Sequence, residues 1–340
     1  MSSIVDTAQV VDTFFAHWIS TGSVALNFEW AGDHILVRSI NWDYSGCSEE
    51  MLSSGECVPF FEEEGILLTA GYAITLMTFL PMAVMDLKEN AFMQVLGFIV
   101  LLVTSLGFVV LFLSRGIEMS NISLWGTDWG SLFGVVLFNF ALVIAVPAWL
   151  YEKEPHVNVA GVVHSSSVLT TILYMSIGIL GAITMPHASQ NMLQSLMSGA
   201  FGPAIQLCAS IFAFFIVGLG IPLFSILARM NLTDGNRGLS RNTANWPAIY
   251  LPFLFSWIFY QGDAITQLLS WGGIIFTSLI AFILPLLLSL RSIDIAKDEG
   301  SVEVYKPFQL TSQKAQKLAI RVVLVLAIAS IIVAILGNFT

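Results

Sequence analysis

The sequence predicts an all-α, polytopic membrane protein, and three observations lead there. Eight long apolar stretches, almost free of charge, run roughly over Gly65–Met85, Ala91–Leu113, Gly130–Leu150, Ser165–Met185, Pro203–Ala228, Trp246–Tyr260, Ile265–Leu290 and Leu318–Gly337. Most are close to the length of about 20 helical residues that crosses a bilayer core. The mean hydropathy is +0.82 and only 11% of residues are charged, against about 25% in an ordinary soluble domain. Finally, the apolar runs are continuous rather than alternating. Backbone in lipid has to satisfy its own polar groups, and continuous runs do so as helices, not as barrel strands.

Charge and motifs exclude other classes. A formal net charge of −10 and scattered Lys and Arg argue against a nucleic-acid partner. The opening MSSIVDTAQVVDTFF carries Asp6 and Asp12 and lacks a basic n-region, so no cleavable signal peptide is expected. No HExxH, phosphate-cradling glycine loop or nucleophile elbow is found, and His164 and His187 sit at opposite span ends. The expectation is therefore a protein that is not an enzyme and needs no cofactor beyond a coupling ion.

Loop charge sets the orientation. Taking alternate loops from Asp86–Asn90 onward collects eleven of the 13 basic residues on one side; only Arg38 and Arg115 fall on the other. The basic side is assigned to the cytosol. The loop holding Cys47 and Cys57 then faces outside or a lumen, where a disulfide between them forms in an oxidising space. The alternative is two free thiols. The sequon Asn121-Ile-Ser falls on the outer side and is a candidate glycosylation site, whereas Asn231-Leu-Thr falls on the cytosolic side. Cys208, inside a span, reads as a small packing residue.

Within the spans, the irregular positions matter most. Trp246–Tyr260 is short and holds Pro247 and Pro252, which would also suit a re-entrant segment. It is kept as a span because removing it would invert everything after it and place the basic loop Arg291–Lys317 outside. Pro81, Pro147, Pro222 and Pro285 each follow an aliphatic residue near the cytosolic end of a helix running inward. Proline removes a backbone donor and kinks a helix. Two readings stand: ordinary tolerance near helix ends, or kinks that narrow an inner vestibule. Glycines such as Gly71 and Gly218 serve close helix packing, or unwinding beside a solute. Asn139 lies mid-span between Phe138 and Phe140. Its carboxamide must be hydrogen-bonded, either to another helix or to a bound polar solute. Ionisable groups avoid the eight span centres. Asp6, Asp12 and His17 are exceptions in the more polar segment Ile4–Ile19, which either joins the bundle with its polar side on protein or water, or lies at the interface.

These residues resemble a known family. FNFALVIAVPAWLYEKEPHVNV followed by LTTILYMSIGILGAI is similar to the sixth and seventh helices of the amino acid/auxin permease family. IPLFSILARMNL resembles the end of the eighth, and SWGGIIFTSLIAFILPLLLSL the tenth. SSIVDTAQVVD resembles the third, and CVPFFEEEGILLTAGYAITLMTFLPMAVMDLKENAFMQVLGFIVLL the fourth and fifth.

The resemblance covers nearly the whole chain and implies a leucine-transporter-like bundle of two inverted repeats. The layout it implies is a single transporter domain over 1–340. A partial third helix occupies 1–20, an outer loop 21–64, helices four to six 65–150 and helices seven to eleven 151–340. It implies alternating-access transport of amino acids, coupled to H⁺ or Na⁺, in a plasma, vacuolar or lysosomal membrane. The substrate is held by broken helices at mid-membrane. On this chain the candidate site residues become Phe138, Asn139 and Phe140, with Asp6 on the third helix and Ser210 and Phe214 on the eighth. The family's first two helices have no counterpart, and Met1 falls where the third begins, so an incomplete chain is expected, with a shortened paralogue as the alternative. The competing functional reading is a non-transporting sensor or subunit, or an inactive fragment.

Overall fold

The computed structural model describes residues 2–19, 22–31, 34–48, 51, 57, 59–60, 66–117, 146, 149–150, 153–185, 192–233, 238–258, 260, 273–299 and 312–337. Most of the Gly130–Leu150 span lies outside these residues, and so do Asn121, Phe138, Asn139 and Phe140. The chain divides into two compact units, one of Met1–Ile122 with Glu152–Ile265 and one of Ser123–Tyr151 with Thr266–Thr340.

The larger unit opens with α1 (Ser2–Trp18). Two strands follow, β1 (Ser23–Ala31) and β2 (His34–Trp42), then β3 (Ile66–Thr69) and α2 (Ala70–Val84). Next come α3 (Leu87–Arg115), α4 (Val159–Thr184), short α5 (Met192–Met197) and α6 (Pro203–Thr233). The last helix, α7, is assembled from Arg241–Asn245, a π-helical turn at Trp246–Tyr250, and Leu251–Ile258. The smaller unit holds α8, π-helical over Gly273–Ile283 and α-helical over Leu284–Glu299, and α9 (Gln313–Gly337). There α8 packs on α9, and Lys317 pairs with Asp294.

Among the described residues, five helical stretches are long and apolar enough to cross a membrane: Leu87–Arg115, Val159–Thr184, Pro203–Thr233, Ser278–Ile295 and Gln313–Val333. Their outward faces carry large apolar residues, such as Val103, Leu106 and Val110 on α3. Water would penalise such surface, while lipid does not. The chain is thus a mainly helical integral membrane protein.

Local chemistry starts and stops these helices. The Thr69 side chain accepts from the Tyr72 N–H at 3.0 Å to cap α2. Glu89 reaches back to the Asp86 N–H at 3.1 Å ahead of α3. Asn158 accepts from the Gly161 N–H at 3.1 Å to open α4. Gly116, with φ of 96°, ends α3.

The described helices run through Pro81, Pro222 and Pro285. In α6 and α8 the ladder instead widens just upstream, into π-helical turns at Ala213–Val217 and Gly273–Ile283. A π turn accommodates an extra residue and leaves backbone groups of one turn imperfectly paired.

The expected outer loop over 21–64 is more ordered than a loop. β1 pairs antiparallel with β2 on one side and with β3 on the other, in the order β2-β1-β3. The helical class thus carries a small sheet, and the fourth helix of the sequence reading begins as strand β3 before it turns helical at Ala70. The alternation Val24-Ala25-Leu26-Asn27-Phe28-Glu29-Trp30 is a strand signal, but it is shorter than the apolar runs around it. One face of the sheet packs Ala25 and Leu67 on Phe60, with Ile40 and Trp42 beside them. Phe60 holds a left-handed φ of 58°, a cost for a bulky residue that its complete burial offsets. Cys47 and Cys57 form a disulfide with Cα atoms 6.1 Å apart.

In the larger unit α1 packs along α2 and touches α6 and α7. It buries Ile4, Val5, Ala8, Val10 and Val11. The approach to α2 is close: a Cβ on Gly71 would strike the Ala8 carbonyl oxygen and lie 2.6 Å from Asp12 Oδ2. A second cluster joins Phe108 and Phe112 of α3 to Leu196 of α5 and to Ile205 and Ala209 of α6.

Candidate functional site

The π turn in α6 has an apolar cleft on each side. Between α6 and α1 lies one of about 230 Å³, walled by Val10, Val11 and Phe14 and by Leu207, Ser210, Ile211, Phe214 and Phe215. Between α6 and α3 lies another of about 270 Å³, bordered by Gln94, Gly97, Phe98 and Leu101 and by Phe215, Ile216 and Leu219. In the second, the Gln94 side chain donates to the Leu219 carbonyl at 3.2 Å. Its polar end is occupied.

The first cleft is different because of one atom. Ser210 is 6% exposed, and its Oγ has no hydrogen-bond partner among the described residues. Helical Ser and Thr in apolar surroundings commonly return their proton to the preceding turn. Several in this chain do: Thr104 donates to the Val100 carbonyl at 2.7 Å and Ser167 to the Val163 carbonyl at 2.8 Å, whereas the buried hydroxyls of Thr75, Ser105 and Ser278 have no partner among the described residues. Ser210 does not, and leaving a buried hydroxyl unpaired costs about 1–3 kcal/mol. It stands just before the π turn, where the Ala213 N–H is shared between the carbonyls of Ala209 and Ser210.

Phe214 forms the same wall. Its ring packs against Phe79 of α2 at 5.3 Å and against Phe215 at 5.5 Å. Phe79 is buried over Gly218, where a Cβ would meet its ring. The position of Phe214 is thereby set from α2.

The structure brings Ser210 and Phe214 to one cleft. Asp6 is exposed on α1, one turn before Val10 on the same helix face. It stands beside the cleft rather than in its wall. Phe138, Asn139 and Phe140 lie outside the described residues. Among the described residues no group of His, Cys, Asp or Glu is arranged to hold a metal ion.

Two polar clusters escape sequence reasoning. At the start of α2, Asp12 is fully buried. Its Oδ1 accepts from Ser23 Oγ at 2.6 Å and from the Gly71 N–H at 2.8 Å. Its Oδ2 accepts from the Tyr260 hydroxyl at 2.6 Å. Close by, the Tyr72 hydroxyl donates to the Phe253 carbonyl.

At the other end of α2, buried Arg229 donates to the Val84 carbonyl at 2.8 Å and also to that of Met85. Arg241 donates to the same Val84 carbonyl at 3.0 Å, and both arginines pair with Asp86. Asp12 draws notice in sequence as a charge within an apolar run. Two of its partners, Gly71 and Tyr260, stand 59 and 248 positions away, beyond the reach of any local pattern.

In comparisons with known proteins, no family model, no curated protein and no solved structure matches this chain.

Proposed function

We propose that this chain carries amino acids across a membrane by alternating access, driven by H⁺ or Na⁺, in a leucine-transporter-like bundle of the amino acid/auxin permease type. The observation that carries the reading is the unpartnered hydroxyl of Ser210 in the wall of the α1–α6 cleft. A buried donor without a partner is a standing cost that a polar ligand atom removes. The cleft is otherwise apolar, which suits the body of a small amino acid whose polar head meets Ser210 and the loosened backbone of the π turn. Irregular helices lining a cavity are the usual means by which transporters present main-chain dipoles to a solute. Asp6 adds an exposed carboxylate one turn away, and a carboxylate within a bundle in lipid marks a solute or ion path by default. The Phe138–Asn139–Phe140 triplet enters this proposal through the family resemblance. A plasma, vacuolar or lysosomal membrane is the setting that resemblance brings.

The test is uptake into proteoliposomes of a panel of radiolabelled amino acids, with and without a pH or Na⁺ gradient. At least one amino acid is expected to accumulate against its gradient. Ser210→Ala should lower that uptake about fivefold, the worth of one hydrogen bond of about 1 kcal/mol, with unchanged protein abundance and a melting temperature that holds or rises as the unpaired hydroxyl is removed. No accumulation of any amino acid by correctly inserted protein overturns the reading. Uptake that Ser210→Ala leaves untouched removes Ser210 from the site.

A further inference from the structure

The pairing register sorts the β1–β2 hairpin into two unlike faces. Cross-strand partners share a face, so Trp30 with Ile35, Phe28 with Val37, and Leu26 with Ser39 lie on one side. Glu29 with Leu36 and Asn27 with Arg38 lie on the other, as does His34 two residues before Leu36. The first face carries no charge; Glu29, His34 and Arg38 all stand on the second. Toward the tip the uncharged face is bare: Trp30 is 75% exposed, Ile35 53% and Val37 58%.

The contacts of the sheet say which way that face turns. The Phe28 ring meets Trp257 of α7 edge-on at 6.2 Å. Trp257 Nε1 donates to the Leu67 carbonyl of β3 at 3.0 Å, which ties the sheet to α7. The uncharged face is thus the one turned toward α7. Around Trp257, α7 itself exposes Leu254, Phe255 and Ile258. Apolar surface continues from the end of α7, past Phe28, onto the hairpin tip. The sheet also runs straight into a helix, because β3 passes into the short apolar α2 at Thr69–Ala70.

We propose that the β1–β2 hairpin lies along the non-cytosolic membrane surface and seats Trp30, Ile35 and Val37 in the lipid headgroup layer beside α7. Lipid is the occupant that continues the surface α7 already exposes. A tryptophan at the tip suits the boundary between headgroups and acyl chains, where such rings concentrate. Glu29, His34 and Arg38, on the opposite face, remain in water. Through β3, which pairs with β1, continues into α2 and accepts from Trp257, the hairpin thereby bears on the near ends of α2 and α7.

The experiment places a fluorescent NBD probe on Trp30→Cys in a Cys208→Ser background, since Cys208 is the free cysteine and Cys47 and Cys57 are bonded to each other. Val37→Cys repeats the test on the same face, and Arg38→Cys reports the opposite face. Each protein is placed in nanodiscs, with monodisperse elution as the folding check. Shallow spin-labelled lipid should quench positions 30 and 37 several-fold more than position 38, and aqueous iodide should show the reverse order. Equal iodide access at 30, 37 and 38 overturns the proposal. Probes at 30 and 37 shielded from both quenchers also overturn it, and indicate a protein cover instead.

Discussion

The two ends of α2 are closed by opposite charges and by different physics. A helix presents partial positive charge at its start and partial negative charge at its end. Asp12 stands at the start, on the Gly71 N–H, while Arg229 and Arg241 stand at the end, on the carbonyls of Val84 and Met85. The first group is fully buried and satisfied by hydrogen bonds, and among the described residues no cation is within ion-pair distance of it. The second is graded from buried to open: the side chain of Arg229 is 4% exposed, that of Arg241 52%, and that of their shared partner Asp86 55%. The comparison teaches that one helix can be anchored rigidly at one end and by a salt-tunable clasp at the other.

Replacing Asp12 by Ala should give the largest effect. It leaves the Ser23 and Tyr260 hydroxyls and the Gly71 N–H buried without their acceptor, a loss on the order of 3 kcal/mol. The melting temperature of the detergent-purified protein should fall sharply, and by the same amount at low and high salt. A drop that shrinks with salt would contradict the hydrogen-bonded description of this end.

Arg229→Ala comes next, at about 2 kcal/mol, because it uncovers the Met85 carbonyl while Arg241 still serves Val84. Arg229→Lys should recover part of this, since an ammonium reaches fewer carbonyls than the guanidinium fork. Arg241→Ala should be the mildest, below about 1 kcal/mol, as half-exposed ion pairs are. Its small effect should vanish as salt screens the pair with Asp86. If Arg241→Ala matched Asp12→Ala in the same melting assay, the two ends would not differ as described.

The sequence reading placed the long spans well. Leu87–Arg115, Val159–Thr184 and Gln313–Gly337 overlap the expected runs, because some twenty apolar residues in lipid have few alternatives. Ser210 and Phe214 were named through the helix they sit on. Their meeting with Val10 and Phe14 across a cleft depends on how α1 packs, which no spacing within either segment encodes. The hairpin went unread because strand pairs of nine residues alternate weakly beside runs twice as long. Prolines pointed to broken helices, but the break falls upstream, as the π turn before Pro222 shows. The ladder relaxes where packing leaves room, and only neighbouring helices define that room.

By itself the sequence determined that this chain lives in lipid and is mainly helical, since hydropathy is a sum over residues and needs no partner. Tertiary structure alone decided which polar groups are paired. Asp12 found Gly71 and Tyr260, Arg229 found Val84, and Ser210 found none among the described residues. A hydrogen bond requires atoms within about 3 Å, and for residues far apart along the chain that distance is fixed by packing, not by sequence order.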